Sequence, residues 1–279
     1  MLGPVLWRRR PAIRSDATDV TDDVTRRSAL VLAPHPDDET LGCGALIARK
    51  AAAGAAITVA IIADGRHCHR SATVSPAEIA QMRRAEVAEA IRRLGVPDGC
   101  LRQFGFEDLT LTDRESDLVE LVANLLQEVT PDEVYATGAF EPHPDHAAVG
   151  RAARRAIVAT GSSARLMEYP IWVWNQLWHG GPVRMRPRLA AAAEAALLMT
   201  RRMRPVKVAV GQFRDIKAKA LDAHASQLRR PDHVPETEFW CTIPEALLAA
   251  AADDVELFVP WQPRKSSRAA SGSLVNRAW

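Results

Sequence analysis

Two short apolar runs constrain this chain more than anything else in it. Ser28–Ala33 and Ala56–Ala63 ("AITVAIIA") are almost wholly apolar and too short for buried helices, so both read as strands covered on two faces. Between them, Leu41–Ala53 is rich in Ala and Leu and is followed by Gly54, the pattern of a helix with a glycine stop. Strand, helix and strand in that order predict a right-handed βαβ unit, and a parallel sheet of such units needs helices on both faces. Later segments extend the alternation: helices over Pro76–Leu94, Ser116–Val129, Ala147–Ala159 and Gln212–Ser226, and strands over Glu133–Thr137, Leu166–Val173 and Val206–Val210. The expected fold class is α/β, a Rossmann-like three-layer fold with a mainly parallel central sheet.

The fold occupies most of the chain. Residues 28–262 read as one domain, preceded by a loosely held, flexible N-terminal extension over 1–27 and followed by a Ser/Arg-rich, disordered tail over 263–279. No run approaches the roughly 18 apolar residues of a membrane span, and Leu189–Met199 is too short and holds Glu194. A net charge of +2 builds no field that would select nucleic acid, and Arg8-Arg9-Arg10, Arg201-Arg202 and Arg229-Arg230 read as solvated faces. Four cysteines without a C-x-x-C pair suggest a reducing, cytoplasmic setting. Homo-oligomerisation is left open.

The ends of the strands carry the chemistry. The first strand runs straight into His35-Pro36-Asp37-Asp38-Glu39, and Glu133–Thr137 is followed after a short loop by His143-Pro144-Asp145-His146. In open parallel sheets ligands bind at the carboxyl ends of strands, where both groups fall. Composition alone would give a His-Pro-Asp tripeptide on the order of 0.03 times in such a chain, so two after strands are a signal. Two imidazoles and a carboxylate from separate loops suit Zn²⁺, with a fourth position left for water and a spare carboxylate as general base. The bland alternative is a pair of helix N-termini with Pro in the first turn and Asp as cap.

"PHPDDETLGCG" and "HPDHAAVG" resemble the two signature motifs of the PIG-L/LmbE-like family, zinc-dependent deacetylases of N-acetylglucosaminyl compounds. "RRAEVAEAIRRLGV" and "KAKALDAHASQ" are similar to its R-x-x-E and late K-x-x-A…H-x-S-Q helices, so the likeness runs over about residues 28–240. It implies His35, Asp38 and His146 as ligands of Zn²⁺ or another divalent metal. It implies Asp37 as general base, and His143, held by Asp145, as the imidazolium that meets the oxyanion and protonates the leaving amine. The implied substrate is a small N-acylated amino sugar or glycoconjugate. Where some members carry a tyrosine two residues before the second motif's first His, this chain has Glu141.

Other residues stand near the same rim. Arg66 in "DGRHCHR" is a candidate for holding a substrate hydroxyl or phosphate, Glu141 for a substrate amine or hydroxyl, and Trp172 for stacking on a sugar, with Trp172 and Trp174 on one strand face and Trp178 beyond. His67, Cys68 and His69 are adjacent residues and do not suggest a second metal. Arg83 and Glu86, i and i+3 on a helix, are expected to pair. His224, Ser226 and Gln227 either reach the rim or pack. Two rivals remain: an amidase for a larger acyl or thiol-conjugate amide, and a Rossmann-type cofactor-binding domain or methyltransferase using "LGCGA" as its glycine loop.

Overall fold

The computed structural model describes residues 3–174 and 204–263, with side chains from Arg10 onward. Eight strands form one sheet in the order β1-β7-β8-β6-β5-β2-β3-β4. They are β1 (Thr18–Asp19), β2 (Ala29–Ala33), β3 (Ile57–Ala63), β4 (Leu101–Phe106), β5 (Glu133–Thr137), β6 (Arg165–Tyr169), β7 (Val206–Ala209) and β8 (Val255–Trp261). All pairings are parallel except those of β8, which is antiparallel to both β6 and β7.

Alternation along the strands builds two cores. In β2, Ala29, Val31 and Ala33 face one cluster while Leu30 and Leu32 face the other. The first cluster is closed by α3 (Asp38–Ala52) and α4 (Pro76–Arg93), the second by α5 (Glu115–Val129) and α6 (Pro144–Thr160). Each helix boundary has a local cause. Ser75 and Glu78 form a reciprocal capping box that starts α4, and Gly161 ends α6 in a left-handed conformation. The three-layer α/β expectation holds.

Both ends of the domain depart from the sequence reading. A short α1 (Gly3–Asp16), β1 and α2 (Thr21–Thr25) occupy the expected extension. It is anchored rather than loose: Val24 is buried, β1 pairs with β7, and the buried Lys50 ammonium binds the carbonyls of Val24 and Arg27. The helix expected over Gln212–Ser226 is three pieces, a 3-10 turn at Gly211–Phe213, α7 (Arg214–Leu221) and α8 (Ala225–Leu228). After α9 (Glu245–Ala251), β8 returns to the sheet. Trp178, Leu189–Met199, Arg201-Arg202 and the expected tail from residue 264 lie outside the described residues.

Chain order fixes where a site can form. From β2 the chain moves outward through β3 and β4, then returns to place β5 on β2's other side. The reversal lies between the carboxyl ends of β2 and β5, where the two helices that follow them begin and leave a crevice.

Candidate metal and active site

Both His-Pro-Asp groups converge on that crevice. Asp38, first residue of α3, presents Oδ2 to His35 Nδ1 at 3.3 Å and to His146 Nε2 at 3.2 Å. The same oxygen accepts the His35 amide at 3.0 Å, which fixes the carboxylate against its own loop. Ligand atoms of His35, Asp38 and His146 all lie within 4.8 Å of one another. His35, His143 and Asp145 meet the same criterion, making a second, overlapping set.

The charges in this cluster suit a cation. Burial alone would lower the His35 imidazolium, yet Asp145 and Asp38 hold it up, to about 10. Burial opposes His146 too, and Asp38 outweighs it, raising the ring to about 9. Burial likewise disfavours the charged Asp38 carboxylate, but His146 and His35 bring it well below the usual range. The same charge that retains protons favours a divalent ion, whose binding would displace them. A further observation fits such an ion. Neither ring nitrogen of the fully buried His146 makes a hydrogen bond of good geometry, although Asp38 Oδ2 is 3.2 Å from one of them. A buried imidazole with a carboxylate close but misaligned is what a shared third centre explains.

Asp37 is set apart from the cluster. Its φ of 136° is rare for a side-chain-bearing residue and needs support from its surroundings. Glu39 Oε2 accepts its amide at 2.9 Å, and Glu39 Oε1 lies 3.1 Å from His224 Nε2. The guanidinium of Arg83 donates to Asp37 Oδ2 at 3.1 Å and also binds the Pro36 carbonyl. Burial pushes the Asp37 carboxyl up, to about 6, against the opposing effect of Arg83. The two adjacent aspartates therefore have opposite environments, one held ionised and one made basic near neutrality.

Several expectations about roles change. Asp145 does not hold His143: its Oδ2 is 3.1 Å from His35 Nε2 and accepts the Leu109 amide at 2.7 Å, while Oδ1 accepts that of Leu111 at 3.3 Å. The surroundings of His143 favour its neutral ring over an imidazolium. Burial, with His146 and His35 beside it, pushes its pKa well below the ordinary value, and its Nδ1 has no hydrogen-bond partner. Glu141 points into the protein. It is fully buried, accepts the amides of Ile171 and Trp172 at 2.8 Å each, and places Oε2 3.6 Å from His146 Nδ1. Arg66 folds back onto Asp64 in a bidentate pair and does not line the cavity. Arg83 pairs with Asp37 rather than Glu86, whose carboxylate binds Ser226 instead.

Trp172 does reach the site, though from a 3-10 turn at Trp172–Trp174 instead of a strand, so it and Trp174 do not share a strand face. Its ring lies 5.9 Å from that of His143 at 30°. A cleft open to solvent lies over the cluster. His35, Asp37, Asp38 and His143 form its floor, and Leu109, Trp172, Ile243 and Leu247 are among its apolar walls. Gln227 lines it, while His224 and Ser226 are committed to Glu39 and Glu86. His67 and His69 diverge, the first to Glu107 and the second onto the Trp240 ring.

Sequence reasoning missed Arg83 as a support of Asp37, and left Glu39 open between a brace of the loop and a plain helix start; the structure has it as the brace. Their positions in the motif and on the next helix were visible, but nothing in the linear pattern showed which carboxylate each would serve.

Comparison with known proteins agrees with this geometry. Residues 30–157 match the family described as PIG-L, GlcNAc-PI de-N-acetylase. A probable N-acetyl-alpha-D-glucosaminyl L-malate deacetylase 2 from Bacillus cereus is 34% identical over 139 residues, covering 47% of this chain and 61% of its own. A 1D-myo-inositol 2-acetamido-2-deoxy-alpha-D-glucopyranoside deacetylase from Salinispora arenicola is 36% identical over 163 residues, covering 50% of this chain and 53% of its own. The chain thus spans about half to three-fifths of these relatives' length. GalB, a 4-carboxy-2-hydroxymuconate hydratase from Pseudomonas putida, superposes with a TM-score of 0.59 at 17% identity over 85% of this chain and 97% of its own. At that identity the likeness establishes the architecture alone, and the reaction has to be argued from the site.

Proposed function

We propose, from the match of residues 30–157 to the PIG-L family and from the site's geometry, that the protein is a zinc-dependent amide hydrolase that removes an acetyl group from an N-acylated amino sugar or glycoconjugate. One observation carries the reading: Asp38 Oδ2 stands between His35 Nδ1 and His146 Nε2, with the separately supported carboxylate of Asp37 beside it. His35, Asp38 and His146 would hold the ion, and nitrogen and carboxylate donors suit Zn²⁺ while admitting other divalent metals. The ion would supply Lewis acidity toward the substrate carbonyl.

The chain's own groups do the rest. Asp37 takes the proton of the attacking water, for which a carboxylate raised by burial is suited near neutral pH, and returns it to the amide nitrogen as the C–N bond breaks and the amine leaves. Arg83 and Glu39 keep that carboxylate aimed. His143 faces the cavity as a neutral ring and offers a hydrogen bond to the oxygen that becomes negative as the carbonyl is attacked. Asp145 orients His35, and Glu141 orients His146, as carboxylates commonly do behind metal-binding imidazoles. Four unbridged cysteines support a reducing, cytoplasmic setting.

A second reading, hydrolysis of a larger acyl amide, is favoured by the apolar walls at Leu109, Ile243 and Leu247. The cofactor-binding alternative loses its glycine loop. Gly42 and Gly44 lie inside α3, where a Cβ on the first would collide with the Tyr169 ring and on the second would come 2.9 Å from Lys217 Cγ.

The test is amine release from a panel of N-acylated amino sugars by zinc-loaded protein, followed by a fluorogenic amine reagent. Turnover that chelation abolishes and zinc restores is expected. Loaded protein that releases no amine from any member of the panel would refute the assignment.

A further inference from the structure

Helix α3 carries Asp38 in its first turn, and two of its interior amides and one interior carbonyl also bind charged side chains from elsewhere in the fold. Here the Ala45 amide donates to Glu256 Oε1 at 2.8 Å and the Leu46 amide to Glu256 Oε2 at 2.8 Å. The Leu41 carbonyl accepts from Lys217 Nζ at 3.1 Å, and Lys217 Nζ is 2.8 Å from Glu256 Oε1. Both charged residues are buried, and they come from distant elements, α7 and β8.

Each charge meets backbone of the opposite polarity: the carboxylate accepts from two successive amides and the ammonium donates to a carbonyl of the preceding turn. Two glycines make this approach possible. Gly42 lets the Tyr169 ring close on the helix, and Gly44 admits the Lys217 stem. Each weakens the helix by about 1 kcal/mol relative to alanine. The turn that presents Asp38 and Glu39 is thereby followed by two weak helix positions and tied to α7 and β8 through Lys217 and Glu256.

We propose that Lys217 and Glu256 are positioning residues for Asp38: the ion pair clamps the first turn of α3 to α7 and β8 and so sets the distance from Asp38 to His35 and His146. This rests on the metal-dependent reading above. The clamp touches neither substrate nor ligand atoms and acts through the Leu41 carbonyl, one turn from Asp38.

The experiment is a zinc titration against a chromogenic chelator, with thermal unfolding measured in parallel. It compares wild type, Lys217→Met, Glu256→Gln and a control, Lys50→Met. The control removes one partner of an equally buried ion pair, Lys50–Glu133, which lies at the far end of α3. A merely structural clamp would lower stability as the control does and leave zinc affinity alone. The proposal expects the clamp variants to bind zinc at least about tenfold more weakly than wild type, and the control to stay within about twofold. If Lys217→Met does not fold, Glu256→Gln, which keeps one acceptor for the helix amides, carries the comparison. Clamp variants that bind zinc as tightly as the control overturn the proposal. Wild type that binds no zinc refutes the hydrolase reading itself, and the clamp's role falls with it.

Discussion

Replacing Glu141 by Gln separates two roles for a residue that the sequence alone could place against the substrate. The carboxylate is fully buried, and its two oxygens each accept one backbone amide at 2.8 Å. Gln keeps the shape but offers one oxygen and one NH₂, so either Ile171 or Trp172 loses its acceptor and meets a donor. An unsatisfied buried amide costs about 1–3 kcal/mol, and for a domain of this size each 1 kcal/mol lowers Tm by roughly 2–4 °C. A fall of several degrees is expected. The charge behind His146 disappears as well, since Glu141 Oε2 stands 3.6 Å from its Nδ1. Loss of such a support costs about 10–100-fold in metal affinity. Zinc competition and thermal unfolding read both effects. A substrate contact would instead raise KM and leave Tm and metal affinity at wild-type values, and that result would refute the reasoning.

Asp37→Asn should bind zinc within a few-fold of wild type while losing about 10²–10⁴ in kcat, the range for removal of a general base; metal loss measured by elemental analysis would contradict that role. Arg83→Met should move the acidic limb of the kcat/KM profile to higher pH, because the guanidinium favours ionised Asp37 and its removal lets burial raise that carboxyl further. Zinc binding should release protons from His35 and His146, so affinity measured by competition should weaken as pH falls below about 10, where His35 takes its proton, and more steeply below about 9, where His146 does too. Lys50→Met should lower unfolding free energy in urea by about 1–3 kcal/mol, because the Val24 and Arg27 carbonyls lose their ammonium donor while Glu133 keeps Arg165 and Tyr135; no measurable loss would show the ammonium to be dispensable.

The strands that lead to the candidate site were the most legible part of the fold. β2, β3 and β5 are short and buried; β2 is wholly apolar and β3 nearly so, while β5 read as a strand despite Glu133 and Thr137. Glycine and proline punctuate the helices between them at Gly54, Pro76 and Gly161. β4 was missed because it is an edge strand, half-buried along its length, with a weak pattern. β8 was missed because its pairing partners are far away in the chain and Pro260 interrupts its reading as a strand. The N-terminal segment looked unanchored because its anchors, Lys50, β7 and the carboxylate of Asp253, lie far along the chain. The expected wide helix near residue 212 is divided because Ala223 and His224 turn the chain inward, which commits His224 to Glu39.

By itself the sequence determined the α/β alternation and put two His-Pro-Asp groups at strand ends, because periodicity and residue type act locally. It was the resemblance of the two motifs to the PIG-L/LmbE-like family that singled out His35, Asp38 and His146 as a set; the residues alone offered two imidazoles and a carboxylate without choosing among them. Only the tertiary structure decided which carboxylate serves which imidazole. Asp145 serves His35, Glu141 serves His146 and Arg83 supports Asp37, across separations of 110, 5 and 46 residues. Such pairings depend on side-chain direction after the chain has folded back on itself, and on which buried polar group would otherwise lack a partner. Neither is written in the spacing of residues along one strand or helix.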